Sequence, residues 1–588
     1  MNRGEVMGHF ITLKSFFLRN KWFYILGIAW LLIVDILQLL IPEVLRRFTD
    51  QLQANNLSST DVFKYGIYII GIGCGIAFFR FLWRIYIMGT SRRLEYELRN
   101  RLFSHLLKLS TNYYTNHKTG DLMAHATNDI NAIRMALGPG IVMITDAIFI
   151  TVIAITMMVV TTDWRLTVLA LLPLPFLAIT ITKFGKVINT RFKAVQESFS
   201  SLTDTVQENF SGIRVIKSFV QEISEIEKFS EKNQMVYSKN MALVKLYGMF
   251  FPFVQFMSAL SFLIVIGYGG SLVIYGEISL GDFIAFEAYL ALLVWPMMAI
   301  GWVINILQRG SASMERINAI LMESPEIVDK DSSIEVDNMT GNVAFDNISF
   351  KYPNSNEYAL KNFSINIRNG SSLGIIGKTG SGKTTIATLL LRLYEANEGT
   401  IYIDGIPLND IKLESIRNQI GYVDQDSFLF STTIAENISF GVDGCSKEKI
   451  IRMAKIAEVH NNIVDFPLGY ETYVGERGVT LSGGQKQRIS IARAIIKEPR
   501  ILILDDSLSA VDTDTEESIL NSLKEEMKNK TSIIIAHRIS TIKDCDSIIV
   551  MDNGVIVEEG SHSQLLSNNG LYYEIYQKQL LEEKLSNE

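Results

Sequence analysis

The sequence predicts two parts of different fold class: an all-α membrane domain with six spanning helices, followed by an α/β domain. Apolar residues concentrate in six long runs before residue 310. Beyond residue 370, a glycine-rich loop lies between an apolar run and a helical stretch. The length of 588 residues exceeds one ordinary domain, and a hydrophobic content of 48% is high for a soluble protein.

Each apolar run is near or above the roughly 20 residues that a helix needs to cross a bilayer. The predicted spans are residues 21–47, 61–88, 138–161, 165–183, 246–275 and 283–308. The alternative, buried helices of one large soluble core, is disfavoured because six such runs occur together. The first run is too long for a cleavable signal peptide and lacks an A-x-A-like exit, so we expect it to remain as the first span.

Lysine and arginine predict the orientation of these spans. They are frequent in the N-terminal arm and in the connections 89–137 and 184–245, but absent from 48–59, 161–164 and 276–282. By the positive-inside rule the first group faces the cytoplasm. The sequence therefore predicts a multi-pass protein of the cytoplasmic membrane, with a transmembrane domain over 1–327, a linker over 328–342 and a cytoplasmic domain over 343–588.

The two cytoplasmic connections are too long to be ordinary loops and are expected to extend the membrane helices inward. Short turn-rich segments lie at their far ends, at residues 113–121 and 211–219.

The glycine-rich loop fits the phosphate-binding pattern G-x-x-x-x-G-K-S/T and follows the apolar run 372–376. Its backbone N–H groups are expected to close on phosphates, while Lys383 reaches the β- and γ-phosphates and Thr384 offers a hydroxyl to Mg²⁺. The residues predicted to bind ATP here are Gly377, Lys378, Thr379, Gly380, Ser381, Gly382, Lys383, Thr384 and Thr385.

A second small polar loop, Leu481-Ser-Gly-Gly-Gln485, also opens a helical stretch. A serine and two glycines at a helix start predict another anion site. Two such sites with one phosphate lysine fit poorly into one closed pocket. They fit well if Ser482, Gly483, Gly484 and Gln485 serve the ATP of a neighbouring molecule.

With a P-loop, the signature LSGGQ and the strand 501–505, the chain resembles the ATP-binding cassette (ABC) family over essentially its whole length. Its domain order resembles a type I/IV exporter half-transporter, with a P-loop nucleotide-binding domain at the C-terminal end. The resemblance implies an ATPase coupled to transport, and that 113–121 and 211–219 are coupling helices that dock on nucleotide-binding domains.

Single residues acquire roles through this resemblance. Tyr352 matches the aromatic that stacks on adenine, Gln425 the Q-loop, Asp512 the D-loop and His537 the switch histidine that contacts the γ-phosphate. Asp505 matches the Walker-B aspartate, which implies a Mg²⁺ site with Thr384 and Gln425. Taken alone, such a histidine or tyrosine is more often structural. The family often has proline where this chain has Asp424.

Asp506 stands where the family ordinarily has the glutamate that polarises the attacking water. The shorter carboxylate implies a site that binds ATP and hydrolyses it poorly, as in heterodimeric multidrug exporters of Gram-positive bacteria. Together with Gln425 and His537, Asp506 completes the predicted catalytic set. The implied partner is a second half-transporter with a catalytic glutamate, and the implied substrates are amphipathic small molecules. A homodimeric lipid or peptide exporter, or an ATP-regulated membrane protein that does not pump, remains the alternative.

Other features of the sequence restrict the function less. The three cysteines have no metal-ligand spacing, and we expect no disulfide. The net charge of −7 and the absence of a basic patch disfavour nucleic acid as a partner, whereas membrane lipid is expected to surround the spans. Asp35, Asp146 and Glu287 fall inside predicted spans, where each either forms a buried pair or hydrogen bond or lines a substrate cavity.

Overall fold

In the computed structural model the chain forms two compact units. The structure describes residues 8–475, 478, 481–509, 511 and 513–587. The membrane unit comprises the chain up to Leu107 together with Thr119–Glu323, and the second unit comprises Lys108–Lys118 together with the chain from Ser324 onwards. The predicted linker, 328–342, therefore lies within the second unit.

The membrane unit is entirely helical in its described part. Its α-helices are Lys14–Gln53, Ser59–Trp83, Gly89–Leu106, Thr119–Ala124, Ile130–Leu137, Pro139–Thr161, Trp164–Leu171, Pro173–Ser211, Ile213–Ser218, Glu222–Ile264, Gly270–Ile274 and Leu280–Met322. Single π-helical turns join several of them without a break, at Arg84–Met88, His125–Asp129 and Val265–Gly269.

Within the described residues, five helical stretches are long and apolar enough to cross a membrane, and five of the six predicted spans lie on them. They are His9–Gln53, Ser59–Leu106, Thr119–Thr161, Glu222–Ile274 and Leu280–Met322. The fourth predicted span, 165–183, is helical as well. It lies on the consecutive helices Trp164–Leu171 and Pro173–Ser211, the second of which begins at Pro173.

Two of the intramembrane carboxyl groups form a pair. Asp35 is buried and hydrogen-bonds to Asp146, and Arg80 interacts electrostatically with both. Two carboxyl groups can share a hydrogen bond only when one of them carries a proton. The structure therefore favours a buried pair for Asp35 and Asp146, while Glu287 is half-buried.

The described part of the second unit contains two β-sheets. The first is antiparallel with the order β2-β1-β4-β5, and the second has the order β10-β9-β3-β8-β7-β6. The strands are β1 Val343–Phe350, β2 Leu360–Ile367, β3 Ser372–Gly377, β4 Glu398–Ile403, β5 Ile406–Pro407, β6 Ile420–Val423, β7 Ile501–Asp505, β8 Thr531–Ile535, β9 Ser547–Asp552 and β10 Val555–Gly560. All pairings of the second sheet are parallel except that of β10 with β9.

The α-helices of this unit complete an α/β fold. They are Thr111–Asn116, Lys383–Leu390, Leu413–Gln419, Ile434–Ser439, Lys447–Ile456, His460–Val464, Gly483–Ile495, Thr513–Glu526, Ile539–Ile542, His562–Ser567 and Leu571–Asn587. One hydrophobic core joins the two sheets around the helix Lys383–Leu390, and a second lies in the helical region between β6 and β7 and extends to the helix Thr513–Glu526.

The predicted coupling segments fall into different units. The helix Thr111–Asn116 belongs to the second unit, where the Thr111 hydroxyl donates to the Leu393 carbonyl at 2.8 Å. The Asn112 side-chain amide donates to Glu326 at 2.8 Å. The helix Ile213–Ser218 belongs to the membrane unit.

Candidate functional site

A cavity of about 340 Å³ lies at the carboxyl ends of neighbouring parallel strands of the second sheet. Ligands of open α/β sheets bind at this edge, because there the chain leaves the strands in loops and helix starts. The cavity is lined by Tyr352, Ser355, Glu357, Tyr358, Ala359, Thr379, Gly380, Ser381, Gly382, Lys383, Thr384, Thr385, Gln425, Asp505, Asp506, Ile535 and His537.

The strand order explains how distant motifs meet. The glycine-rich loop follows β3, His537 follows β8, Asp505 ends β7 and Gln425 follows β6. These four strands are consecutive in the sheet, in the order β3-β8-β7-β6. Because they are parallel, their carboxyl ends share one edge, and residues about 160 positions apart line one cavity.

Glycines allow the loop to close tightly. Gly380 and Gly382 have left-handed φ angles of 83° and 95°, which other residues rarely adopt. A Cβ on Gly382 would also collide with the Ala359 carbonyl, and one on Gly377 with the Met551 carbonyl. Side chains at these positions would therefore push the loop out of its conformation.

The Lys383 ammonium group is held in place by the loop itself. It donates to the carbonyl oxygens of Gly377 and Lys378 at 2.8 and 2.9 Å. Burial lowers the pKa of Lys383, and the negative charges of Asp505 and Asp506 oppose that shift. Gly377 and Lys378 thus position the lysine instead of lining the cavity.

The carboxyl group of Asp505 is buried beside this lysine. Burial raises its pKa to about 6, and the like charges of Asp424 and Asp506 add to the shift, whereas the hydroxyl of Thr384 and the charge of Lys383 oppose it. Oδ2 of Asp505 and the hydroxyl of Ser381 have no hydrogen-bond partner among the described residues. A buried oxygen in this state suits a bound cation or an ordered water.

Aromatic and polar side chains form the remaining walls. The Tyr352 ring packs edge-on against Phe350 and Tyr394, with centroid distances of 4.8 and 5.2 Å, and its hydroxyl lies 3.2 Å from that of Thr385. Gln425 and His537 are exposed on the cavity wall.

Asp506 is half-buried and has a left-handed backbone, with φ 44°. Its N–H donates to the Ile535 carbonyl at 2.8 Å, which ties the end of β7 to β8. Aspartate is one of the few residues other than glycine that tolerate this conformation.

The LSGGQ loop lies elsewhere. Ser482 caps the helix Gly483–Ile495: its hydroxyl accepts from the Gln485 N–H at 3.3 Å, and the Gln485 side chain accepts from the Ser482 N–H at 2.9 Å. None of these four predicted residues lines the P-loop cavity. The helix start exists as predicted, but it lies outside the P-loop cavity. Asp512 lies outside the described residues.

Sequence reasoning missed several cavity residues. Ser355, Glu357, Tyr358 and Ala359, from the loop between β1 and β2, carry no recognisable motif. Asp424 departs from the family pattern, and its charge raises the pKa of Asp505. The Tyr422 hydroxyl donates to Asp424 at 3.2 Å.

The fold and the site define a class of protein: a multi-pass membrane protein that carries, on the same chain, a cytoplasmic nucleotide-binding domain with a phosphate-binding loop. Residues 24–297 match the family described as ABC transporter transmembrane region, and residues 360–509 match the family described as ABC transporter.

Relatives cover nearly the whole chain. The chain is 40% identical over 570 residues to the probable multidrug resistance ABC transporter ATP-binding/permease protein YheI of Bacillus subtilis, covering 97% of this chain and 96% of that protein. It is 38% identical to the multidrug resistance-like ATP-binding protein MdlA of Escherichia coli, with 97% of each chain covered.

A solved structure shows the same architecture. A bacterial Atm1-family ABC exporter with ATP bound has a TM-score of 0.78 and 27% identity, over 97% of this chain and 99% of that one. The chain belongs to the ABC transporter family, as an exporter with a transmembrane and an ATP-binding domain. It is an ATPase coupled to transport.

Proposed function

We propose that this protein exports amphipathic compounds across the cytoplasmic membrane, as one half of a heterodimeric ABC exporter whose partner supplies a catalytic glutamate. The names of the relatives YheI and MdlA, which refer to multidrug resistance, support the substrate class. One observation supports assembly with a partner: the residues expected to surround one ATP are not all brought together within this chain. The P-loop cavity contains Asp506, whereas this chain's own LSGGQ residues lie outside it.

The cavity suits ATP in several respects. Backbone N–H groups of the loop 379–385 and the ammonium of Lys383 hold the phosphates. Tyr352 offers an aromatic face at the cavity wall for the adenine.

Magnesium fits the residues beside the phosphates. The unpartnered Oδ2 of Asp505, the Thr384 hydroxyl and the Gln425 amide are oxygen donors of the kind that Mg²⁺ prefers. The phosphates of ATP and water would complete the coordination, because Mg²⁺ usually keeps several waters and binds one or two carboxylates together with substrate phosphates. When bound, Mg²⁺ neutralises charge on the β- and γ-phosphates.

Asp506 limits hydrolysis at this site. Its carboxylate stands about one carbon–carbon bond, roughly 1.5 Å, further from the γ-phosphate than that of a glutamate. Because catalytic groups tolerate little displacement, this chain retains its ATP longer than its partner does. His537 would contact the γ-phosphate, and Gln425 would bind the metal together with Thr384 and Asp505.

A second half-transporter completes both sites. Ser482, Gly483, Gly484 and Gln485 contact the ATP held by the partner. Exposed apolar side chains of the second coupling segment favour a dimer as well. Val215 is 60% exposed and Phe219 70% exposed, a state typical of surfaces that bind another molecule.

The proposed function is tested by transport in inverted membrane vesicles that contain both halves. We expect ATP-dependent accumulation of a cationic fluorescent amphiphile, and its loss when Lys383 is replaced by alanine. Vesicles with this chain alone are the control for the heterodimer. Accumulation by this chain alone favours a homodimer, and ATP binding without accumulation of amphiphile, lipid or peptide favours a regulatory protein.

A further inference from the structure

The C-terminal helix, Leu571–Asn587, reaches the segment that carries His537. The side-chain oxygen of Gln579 accepts from the N–H of Ile539 at 2.9 Å. The side-chain nitrogen of the same residue donates to the carbonyl of His537 at 2.7 Å. One amide therefore bridges the backbone on both sides of Arg538, immediately after β8.

The chemistry of this bridge is specific to an amide. A glutamine offers one acceptor and two donors, and the segment presents one N–H and one carbonyl. Ile539 opens the short helix Ile539–Ile542, so its N–H has no partner within the helix, and the side chain of Arg538 does not cap it. Gln579 supplies that cap from a distant part of the chain.

The sequence pattern of the C-terminal helix singles out the same residue. Tyr572 is buried in a hydrophobic cluster, against which Ile575 and Tyr576 pack. Positions i, i+3, i+4 and i+7 share one face of a helix, so the next residue of this face is Gln579. A polar residue thus continues an apolar stripe, at the point where the stripe meets the His537 segment.

The C-terminal helix is well anchored. The Tyr572 hydroxyl and Nδ1 of His562 lie 2.7 Å apart, and Glu558 accepts from the N–H of Leu571 at 2.5 Å. Gln579 lies about two turns further along, or roughly 10 Å at 1.5 Å per residue. Gln579 therefore lies on a helix whose position is fixed by these contacts.

Glu516 holds the other side of the segment. This buried carboxylate accepts from the Arg538 guanidinium at 3.2 Å and from the Thr541 hydroxyl. Because the hydrogen bonds of Gln579 and of Glu516 to this segment fall within five residues, the peptide groups next to His537 have little freedom to rotate. The imidazole of His537 lies on the cavity wall, and its direction follows from the backbone at this position.

We propose that Gln579 is a positioning residue, which holds the His537 backbone so that the imidazole meets the γ-phosphate of bound ATP. The C-terminal helix then contributes to the nucleotide site by positioning the backbone of His537. This inference rests on the proposed role of His537. It requires that loss of Gln579 weaken recognition of the γ-phosphate and leave binding of the rest of the nucleotide unchanged.

The test compares the affinities of the full-length chain in lipid nanodiscs for ADP and for a non-hydrolysable ATP analogue, both with Mg²⁺. Gln579→Ala and Gln579→Met, which keeps the length of the side chain, should lower the preference for the ATP analogue about three- to tenfold, with ADP affinity unchanged. Lys578→Ala is the matched control, because that side chain is 78% exposed on the same helix.

Epistasis separates positioning from a general effect on folding. His537→Ala should lower the same preference, and adding Gln579→Ala should lower it no further, because the second residue acts through the first. The inference is overturned if His537→Ala lowers the preference but both Gln579 variants leave it unchanged, or if the two effects add. If His537→Ala itself has no effect, the proposed role of His537 is wrong and the inference fails with it.

Discussion

Asp506→Glu restores the missing methylene at the candidate catalytic position. The carboxylate would advance by about 1.5 Å, the length of one carbon–carbon bond, from a residue whose N–H remains tied to the Ile535 carbonyl at 2.8 Å. A well-placed general base contributes about 10²–10⁴-fold, or about 2.7–5.4 kcal/mol at 1.36 kcal/mol per tenfold. We therefore expect hydrolysis at this chain's site to rise by about 10²-fold.

The backbone of Asp506 adds a separate effect on stability. At φ 44° the residue is left-handed, a conformation that costs a glutamate about 1–2 kcal/mol. The strain is the same in the ground state and in the transition state of hydrolysis, so it should not reduce kcat. Because it destabilises the folded protein, it should lower the Tm by a few degrees. A Tm that falls while turnover rises distinguishes the two effects.

The assay is single-turnover ATP hydrolysis by the complex whose partner lacks its catalytic glutamate. Asp506→Asn is the matched control, because asparagine has the same size and also tolerates the left-handed backbone. In the intact complex this control should leave more than half of the turnover. Robust ATPase activity of this chain alone that disappears in Asp506→Asn would refute the degenerate site.

Three further predictions concern the binding and hydrolysis of ATP. Lys383→Ala should lower ATP affinity at this site by at least about tenfold, because the phosphates lose a charged partner, and a binding titration measures this. Gly484→Tyr should impair hydrolysis by the complex and leave this chain's own ATP affinity unchanged, and loss confined to this chain's site would contradict the crossed arrangement. Burial and the charge of Asp424 keep the pKa of Asp505 raised, to about 6, and the cation requires the ionised form. Magnesium-dependent ATP affinity should therefore fall about tenfold per pH unit below that value, and Asp424→Asn should move the fall to lower pH. An unchanged profile in Asp424→Asn would show that this charge does not act on the site.

Local patterns predicted much of the nucleotide-binding domain. The strand expected at 501–505 is β7 with the same bounds, and the strand expected at 372–376 is β3, extended to Gly377. Both are continuous apolar runs, as expected of parallel strands buried on both faces. Hydropathy predicted that the fourth span is apolar and helical, but it did not show that a new helix begins at Pro173.

Contacts between residues far apart in the chain could not be predicted from the sequence. Asp35 and Asp146 are more than a hundred positions apart, and only helix packing makes them a pair. The bridge from Gln579 to His537 spans 42 positions and has no motif, because a glutamine at the end of an apolar stripe resembles any exposed polar residue. The influence of Asp424 on Asp505 depends on a strand pairing between β6 and β7.

The sequence by itself determined the class of this protein. Six apolar runs, a phosphate-binding loop and an LSGGQ helix start are local features, and the chemistry of each follows from a few consecutive residues. The tertiary structure decided which of them share a site. Parallel pairing brings the ends of β3, β8, β7 and β6 to one edge and leaves Ser482 to Gln485 on another surface, because strand order and packing depend on contacts across the whole chain.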